Sequence, residues 1–333
     1  MSMVVRRTII VAAILLFVVA VLINRALAAV STPTKILTNA KNPIVWQRFG
    51  QWLMITEDLP TGRTCYFHDP AHRSKMLFKK PLKGAWQPLG SAVKWLMYID
   101  NVNGLDRLMA HDVDRHVYCV ARSSAQRQVG AGMVDTRCIF GQYRAGRVGD
   151  HYAVDLYCIN MIGGAVTQFY ASDSEKSQFA HDGSLLVYRA YLGNGDYRIL
   201  GAYFNQPGEF EIAARNGVEP SVCGNLVAWA EADGAGWNIV AKNLQTGEIR
   251  GVARTTANPP CPEAGNGAIF WQDARNKLKT GIDIYGYDWA TGMEFPVSVA
   301  AGDQIKLRVC GDLITWASGL VNYQTLWMAK YSR

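Results

Sequence analysis

The chain has 333 residues, with 34 Lys and Arg against 27 Asp and Glu, and 31 glycines. Setting aside Arg6, Arg7 and Arg25 leaves 31 basic residues facing 27 acidic ones, too small a surplus to signal nucleic acid as a partner. Seven cysteines include no C-x-x-C pair, which removes thioredoxin-type chemistry and compact zinc knuckles; their odd number leaves pairing of some of them open.

The amino end reads as an export segment. Arg6 and Arg7 precede an uncharged apolar run from Thr8 to Ile23, followed by Ala26-Leu27-Ala28, after which a signal peptidase would cut before Ala29. The run is somewhat shorter than the ~20 residues that cross a bilayer, and tilt with snorkelling arginines would let it span. Residues 1–30 are therefore expected to be a signal peptide or a transmembrane anchor, with the remainder periplasmic or extracellular.

Beyond Ile23, glycine, 10 Trp and 15 Tyr are spread over short alternating segments, as expected of many strands joined by tight turns. Thr34-Lys35-Ile36-Leu37-Thr38 is a lone strand-like segment ahead of a repeating frame. The frame is clearest at Asp155 to Gly164, Asn238 to Gly247 and Asp283 to Gly292. In each copy an Asp or Asn stands five positions in (Asn160, Asn243, Asp288), and Gly164, Gly247 or Gly292 stands nine positions in. An Asp or Asn at a strand end caps the turn's N–H groups, and glycine accepts the positive φ that reverses the chain. Weaker copies begin near Thr64, Arg107, Arg198 and Thr325, giving spacings of 40 to 48 residues. Strand-like contents at that period predict an all-β, seven-bladed β-propeller of four-stranded antiparallel blades spanning residues 31–333. The last unit lacks a fourth strand, which Thr34–Thr38 is expected to supply beside Thr325 to Tyr331, closing the ring.

A second motif, a turn followed by an apolar strand ending in Trp229, Trp271 or Trp316, predicts large side chains that fill the wedge between radial sheets. Trp271-Gln272-Asp273-Ala274-Arg275-Asn276, followed by Asp283-Ile284-Tyr285 and Asp288 through Gly292, resembles the TolB-like or WD40-like propeller repeats of bacterial periplasmic and cell-surface proteins. That resemblance implies a protein-interaction scaffold; some propellers of other families are lyases or glycosidases.

The candidate chemical groups are few. His68-Asp69-Pro70-Ala71-His72, and His111-Asp112 with His116, fall where the repeat places polar turn residues, so they are read as turns and not as metal ligands. The basic stretch Lys79-Lys80-Pro81-Leu82-Lys83 reads as a solvated loop. Asp155 and Asp283 recur in phase and read as structural. His151, in a loop before a third strand, and His181, between a first and a second strand, are the acid–base candidates, with an arginine to hold a substrate carboxylate. The first-strand segments Lys176 to Gln178, Glu219 to Pro220 and Lys306 to Arg308 are expected to approach the channel, making His151, His181, Lys306 and Arg308 candidate ligand contacts. No G-x-S-x-G elbow, phosphate loop or H-E-x-x-H occurs, and neither metal nor cofactor is called for. The regular motifs explain strands and turns without chemistry. The expected function is therefore a non-enzymatic interaction propeller with an envelope protein or peptide partner. The alternative is a polysaccharide lyase or glycosidase-like enzyme using inner-loop His and Arg.

Overall fold

A computed structural model describes residues 29–333 except 50–51, 61, 73, 78–86, 93–94, 103–104, 113–116, 125, 135, 207, 215 and 321–322. The export segment, the Lys79–Lys83 stretch and His116 lie outside the described residues. These residues form an all-β propeller, contain no helix, and include none long and apolar enough to cross a membrane.

Each sheet begins at the axis and steps outward along the chain. The inner strands are Ile44–Phe49, Gln87–Ala92, Gln128–Val134, Glu175–Asp182, Val218–Cys223, Glu263–Gly265 and Gln304–Cys310. Each lies beside the next, and Gln304–Cys310 returns to Ile44–Phe49. Six of the sheets are four-stranded and antiparallel. The closing sheet departs from the expected four strands and has five: Ala29–Val30 and Thr34–Ala40 both pair with the last strand, Tyr323–Ser332. Thr34 stands opposite Met328 and Ala40 opposite Gln324, so the amino-terminal strand closes the ring and no blade edge is left open there.

The repeated hairpins owe their shape to the residues that recur. Asn160, Asn243 and Asp288 each accept a turn N–H on the side-chain oxygen, from Ile162, from Gln245 and Thr246, and from Thr291. Gly164, Gly247 and Gly292 have φ of 68°, 75° and 71° and return an N–H to the carbonyl of that same Asn or Asp. A residue with Cβ would be strained at each of these glycines.

The core is a set of wedges between consecutive sheets. Trp229, Trp271 and Trp316 are buried, and each faces the sheet before its own: Trp229 packs on Leu185, Val187 and Ile199, and Trp316 on Phe270 and Ile284. On the opposite face of the same strand, Ala228 and Ala230 meet Ile269 and Trp271 of the following sheet. The period-two alternation thus places a large group and small groups on opposite faces of one strand, which suits a wedge that widens outward. The indole N–H groups are satisfied by Glu231, Asp273 and Gln304, each at 2.8 Å. The last wedge, Val45, Leu53, Ile55 and Tyr66 against Leu313 and Leu326 with Ile36 and Leu37 beside them, joins the first sheet to the closing one.

The six cysteines whose side chains are described, Cys65, Cys138, Cys158, Cys223, Cys261 and Cys310, are free thiols.

Candidate active-site channel

An axial cavity of about 1620 Å³ is lined by the inner strands. Those strands are bulged: register slips occur between Ser177 and Ala180, between Val218 and Ser221, and between Ile305 and Arg308. At the bulge, Gln178, Glu219 and Lys306 take φ of 51°, 52° and 57°, and Cys261 takes 44° at the matching place in the sixth unit. Left-handed backbone at residues bearing Cβ costs roughly 1–2 kcal/mol each, so something must hold it. Inter-sheet hydrogen bonds do part of this. The Glu219 N–H donates to Gln178 Oε1 (2.9 Å) and the Cys261 N–H donates to Glu219 Oε2 (3.0 Å). Lys306 Nζ donates to Asn42 Oδ1 (2.5 Å) and Gln324 Oε1 (2.7 Å), with Asn42 itself at φ 52°. Side chains remote in sequence thereby form two arcs of a belt, one joining the fourth, fifth and sixth sheets and one joining the closing sheet to the first.

The belt and the level below it hold ionisable groups in altered states. Desolvation lowers the Lys306 ammonium to about 8. Burial raises the Glu219 and Glu263 carboxyls above the usual range, opposed at Glu219 by the Cys261 N–H and at Glu263 by Arg308. Arg308 Nη1 donates to Glu263 Oε1 at 2.8 Å and to the Leu307 carbonyl at 3.3 Å, and Arg308 Nη2 has no protein acceptor among the described residues. His181 lies toward the far end of the inner strand, its ring against Gly132, and desolvation depresses its proton affinity, keeping it neutral at pH 7.

The other sequence-predicted positions divide as follows. Lys176 borders the channel wall, but its ammonium is fully buried, bonded to the Val154 carbonyl (2.8 Å), Ser172 Oγ (2.7 Å) and Ser174 Oγ (3.0 Å), and lowered to about 8 by desolvation. His151 does not line the channel: it is buried at the crossing between the third and fourth sheets, with Nδ1 3.0 Å from Asp150 Oδ1 and Nε2 2.5 Å from the Asp173 carbonyl. Neither ring nitrogen is left for a substrate, so His151 does not join His181 in one site. Asp155 accepts Arg144, and Asp283 accepts Asn276 and Thr280, both structural engagements. His68, Asp69, His111 and Asp112 end their strands as expected and are buried, and Asp69 caps the turn that follows it by accepting the Ala71 and His72 N–H groups. Glu263, Cys261 and the belt itself escaped the sequence reading, although Gln178, Glu219 and Cys261 recur at intervals of 41 and 42 residues.

The fold and its lined axis define a β-propeller. No family model matches the sequence, and no curated protein does, so of the TolB-like expectation the propeller architecture is what stands. Among solved structures the chain is similar to an oligogalacturonate lyase from Vibrio parahaemolyticus (11% identity, TM-score 0.65, 91% of this chain and 96% of that one). It is similar to an oligogalacturonate lyase in complex with manganese (12%, TM-score 0.64, 90% and 93%). It is also similar to the β-propeller domain of the trilobed protease from Pyrococcus furiosus (7%, TM-score 0.62, 88% and 97%). The expectation of a non-catalytic scaffold does not stand beside these findings: two near-complete matches are lyases, and the channel carries acid–base groups in altered states. Among the described residues no group of three or more His, Cys, Asp or Glu is placed to hold a metal ion.

Proposed function

We propose that the channel is the active site of a lyase that cleaves uronate-containing oligosaccharides by β-elimination. The observation that carries this reading is the convergence on one channel of an amine near pKa 8, a carboxyl held above its usual range and an arginine with an uncommitted edge. The similarity to oligogalacturonate lyases supports the substrate class.

The roles follow from hydrogen-bond capacity. Neutral Lys306 has two N–H groups, which Asn42 and Gln324 accept, and one lone pair free to accept a proton. That lone pair takes the proton from the carbon α to the uronate carboxylate, C5. The charge that develops on the carboxylate is met by Arg308 through Nη2, while Glu263 fixes the guanidinium plane. The electron pair forms the C4–C5 double bond, the C4–O bond breaks, and the departing oxygen takes the proton of Glu219. Burial pushes both groups toward the protonation states this requires, neutral amine and protonated carboxyl.

The test is incubation with oligogalacturonate, reading the ultraviolet absorbance of the unsaturated product. Lys306→Met should lower kcat by ~10²–10⁴-fold with little change in KM. Turnover that survives Lys306→Met would sink the assignment of the base. Saturated products would move the reaction to hydrolysis, with Glu219 and Glu263 as the carboxyl pair. The protein is further proposed to be exported. Among the described residues strand pairing begins at Ala29, opposite Ser332, so a cut before Ala29 keeps both closing strands, and sequencing the mature amino terminus checks this.

A further inference from the structure

Four side chains of the third unit form a row that starts at the channel wall. Arg127 and Tyr143 are part of the channel wall. The Arg127 guanidinium lies 5.4 Å from the Tyr143 ring centre, Tyr143 meets Tyr152 edge-on at 6.5 Å, and the Arg147 guanidinium lies 5.4 Å from the Tyr152 ring. Tyr143 is held by its hydroxyl, which donates to Glu175 Oε1 at 3.0 Å, and by its own N–H, which donates to the Arg127 carbonyl at 2.9 Å. Tyr152 is 42% exposed, and both arginines are exposed. Arg144, the next cation along, is tied to Asp155 and Asp173, whereas neither Arg127 nor Arg147 has a carboxylate partner among the described residues.

The backbone explains why the row exists. Tyr143 ends the second strand, Arg137–Tyr143, and Arg147 and Tyr152 belong to the loop that follows it. That loop is pinned by the paired hydrogen bonds between Val148 and His151 and by the seat of His151 on Asp150 and Asp173. Tyr152 is thus presented from a braced turn and loses little freedom on binding.

We propose that Arg127, Tyr143, Tyr152 and Arg147 form a distal track for an anionic oligosaccharide whose reacting end lies in the channel. This inference rests on the channel reading above. Sugar rings present apolar C–H faces that stack on tyrosine, and uronates carry one carboxylate per ring, so a pair of aromatic faces with a cation at each end matches that chemistry. An acidic peptide offers carboxylates at similar intervals but has no repeated ring face for Tyr152.

The experiment is calorimetry with the full chain carrying Lys306→Met, so that the probe is not consumed, using oligogalacturonates of two and six units. The six-unit probe should bind about tenfold tighter than the two-unit one, corresponding to roughly 1.4 kcal/mol of added contact. Tyr152→Ala and Arg147→Ala should each remove that gain while leaving the two-unit affinity unchanged, and Tyr152→Phe should retain it. A length advantage that survives both alanine variants overturns the track. An equal advantage for neutral galactose oligomers, or Arg147-dependent binding of polyglutamate as tight as that of the six-unit probe, overturns its ligand class. If both lengths bind alike in every variant, the track falls and the channel reading stands; if neither binds, both fall.

Discussion

Raising the pH through the titration of His151 should loosen the crossing between the third and fourth sheets. A carboxylate oxygen and a peptide carbonyl only accept hydrogen bonds, and the two ring nitrogens face one of each, so both contacts are satisfied only by the doubly protonated imidazolium. The hydrogen bond to Asp150 accordingly raises the proton affinity of His151, assisted by the Asp173 carbonyl and the Asp150 and Glu175 charges and opposed by desolvation. Asp150 stays ionised throughout, because its hydrogen bond from Tyr191 and its contact with His151 lower its carboxyl to about 2. A folded-state pKa above the unfolded value of ~6.5 means that this stabilisation is complete below about pH 6.5 and is lost as pH rises through the folded-state value. A charge-assisted hydrogen bond contributes about 1.5–3 kcal/mol when buried. With the imidazole side chain 5% exposed but that of Asp150 50% exposed, about 1–2 kcal/mol is the expected size. Comparing denaturant unfolding of wild type and His151→Gln at about pH 5.5 and about pH 8.5 isolates this group, because Lys176 and Lys306, lowered to about 8, titrate in both proteins and cancel in the difference. The difference between the two proteins should be larger by that amount at the lower pH. An equal difference at both pH values, or an imidazole that titrates at its ordinary value by NMR, would refute the argument.

Two stability predictions bear on the ring. Removing residues 32–39 takes away the pairing of Thr34, Lys35 and Leu37 with the last strand and the packing of Ile36 and Leu37 over the closing wedge. Its thermal and denaturant midpoints should fall sharply, and wild-type transitions would show that closure lies elsewhere. Gly286→Ala would set a Cβ 2.5 Å from the Phe295 ring and 3.0 Å from Phe270, overpacking that should destabilise by ~1–3 kcal/mol in denaturant titrations; a change within ~0.5 kcal/mol would mean that Phe295 can yield freely.

The repeating hairpins and the tryptophan-ended strands were legible in the sequence because each depends on neighbours within one strand or turn, and the closing role of Thr34–Thr38, a pairing with the far end of the chain, was legible through the repeat, which left one strand-like segment over. Asn243 caps its own turn two and three residues on, Gly247 reverses the same chain, and alternation along Leu226–Asp233 is enough to put Trp229 and Ala228 on opposite faces. The unpaired third strand of the last unit likewise announced a missing partner. The fifth strand of the closing sheet was not legible, since Ala29–Val30 is too short to carry a pattern of its own. Glu219, Lys306 and Arg308 line the channel as the sequence led one to expect, but their chemical states belong to the tertiary structure. Whether a histidine is a base or a brace depends on what faces its two nitrogens, and for His151 those partners come from Asp150 and from the carbonyl of Asp173, 22 residues away. Glu219 and Lys306 enter one cavity only because bulged inner strands from different sheets converge on the axis once the ring closes. Burial there, which no local pattern records, moves the amine down and the carboxyl up.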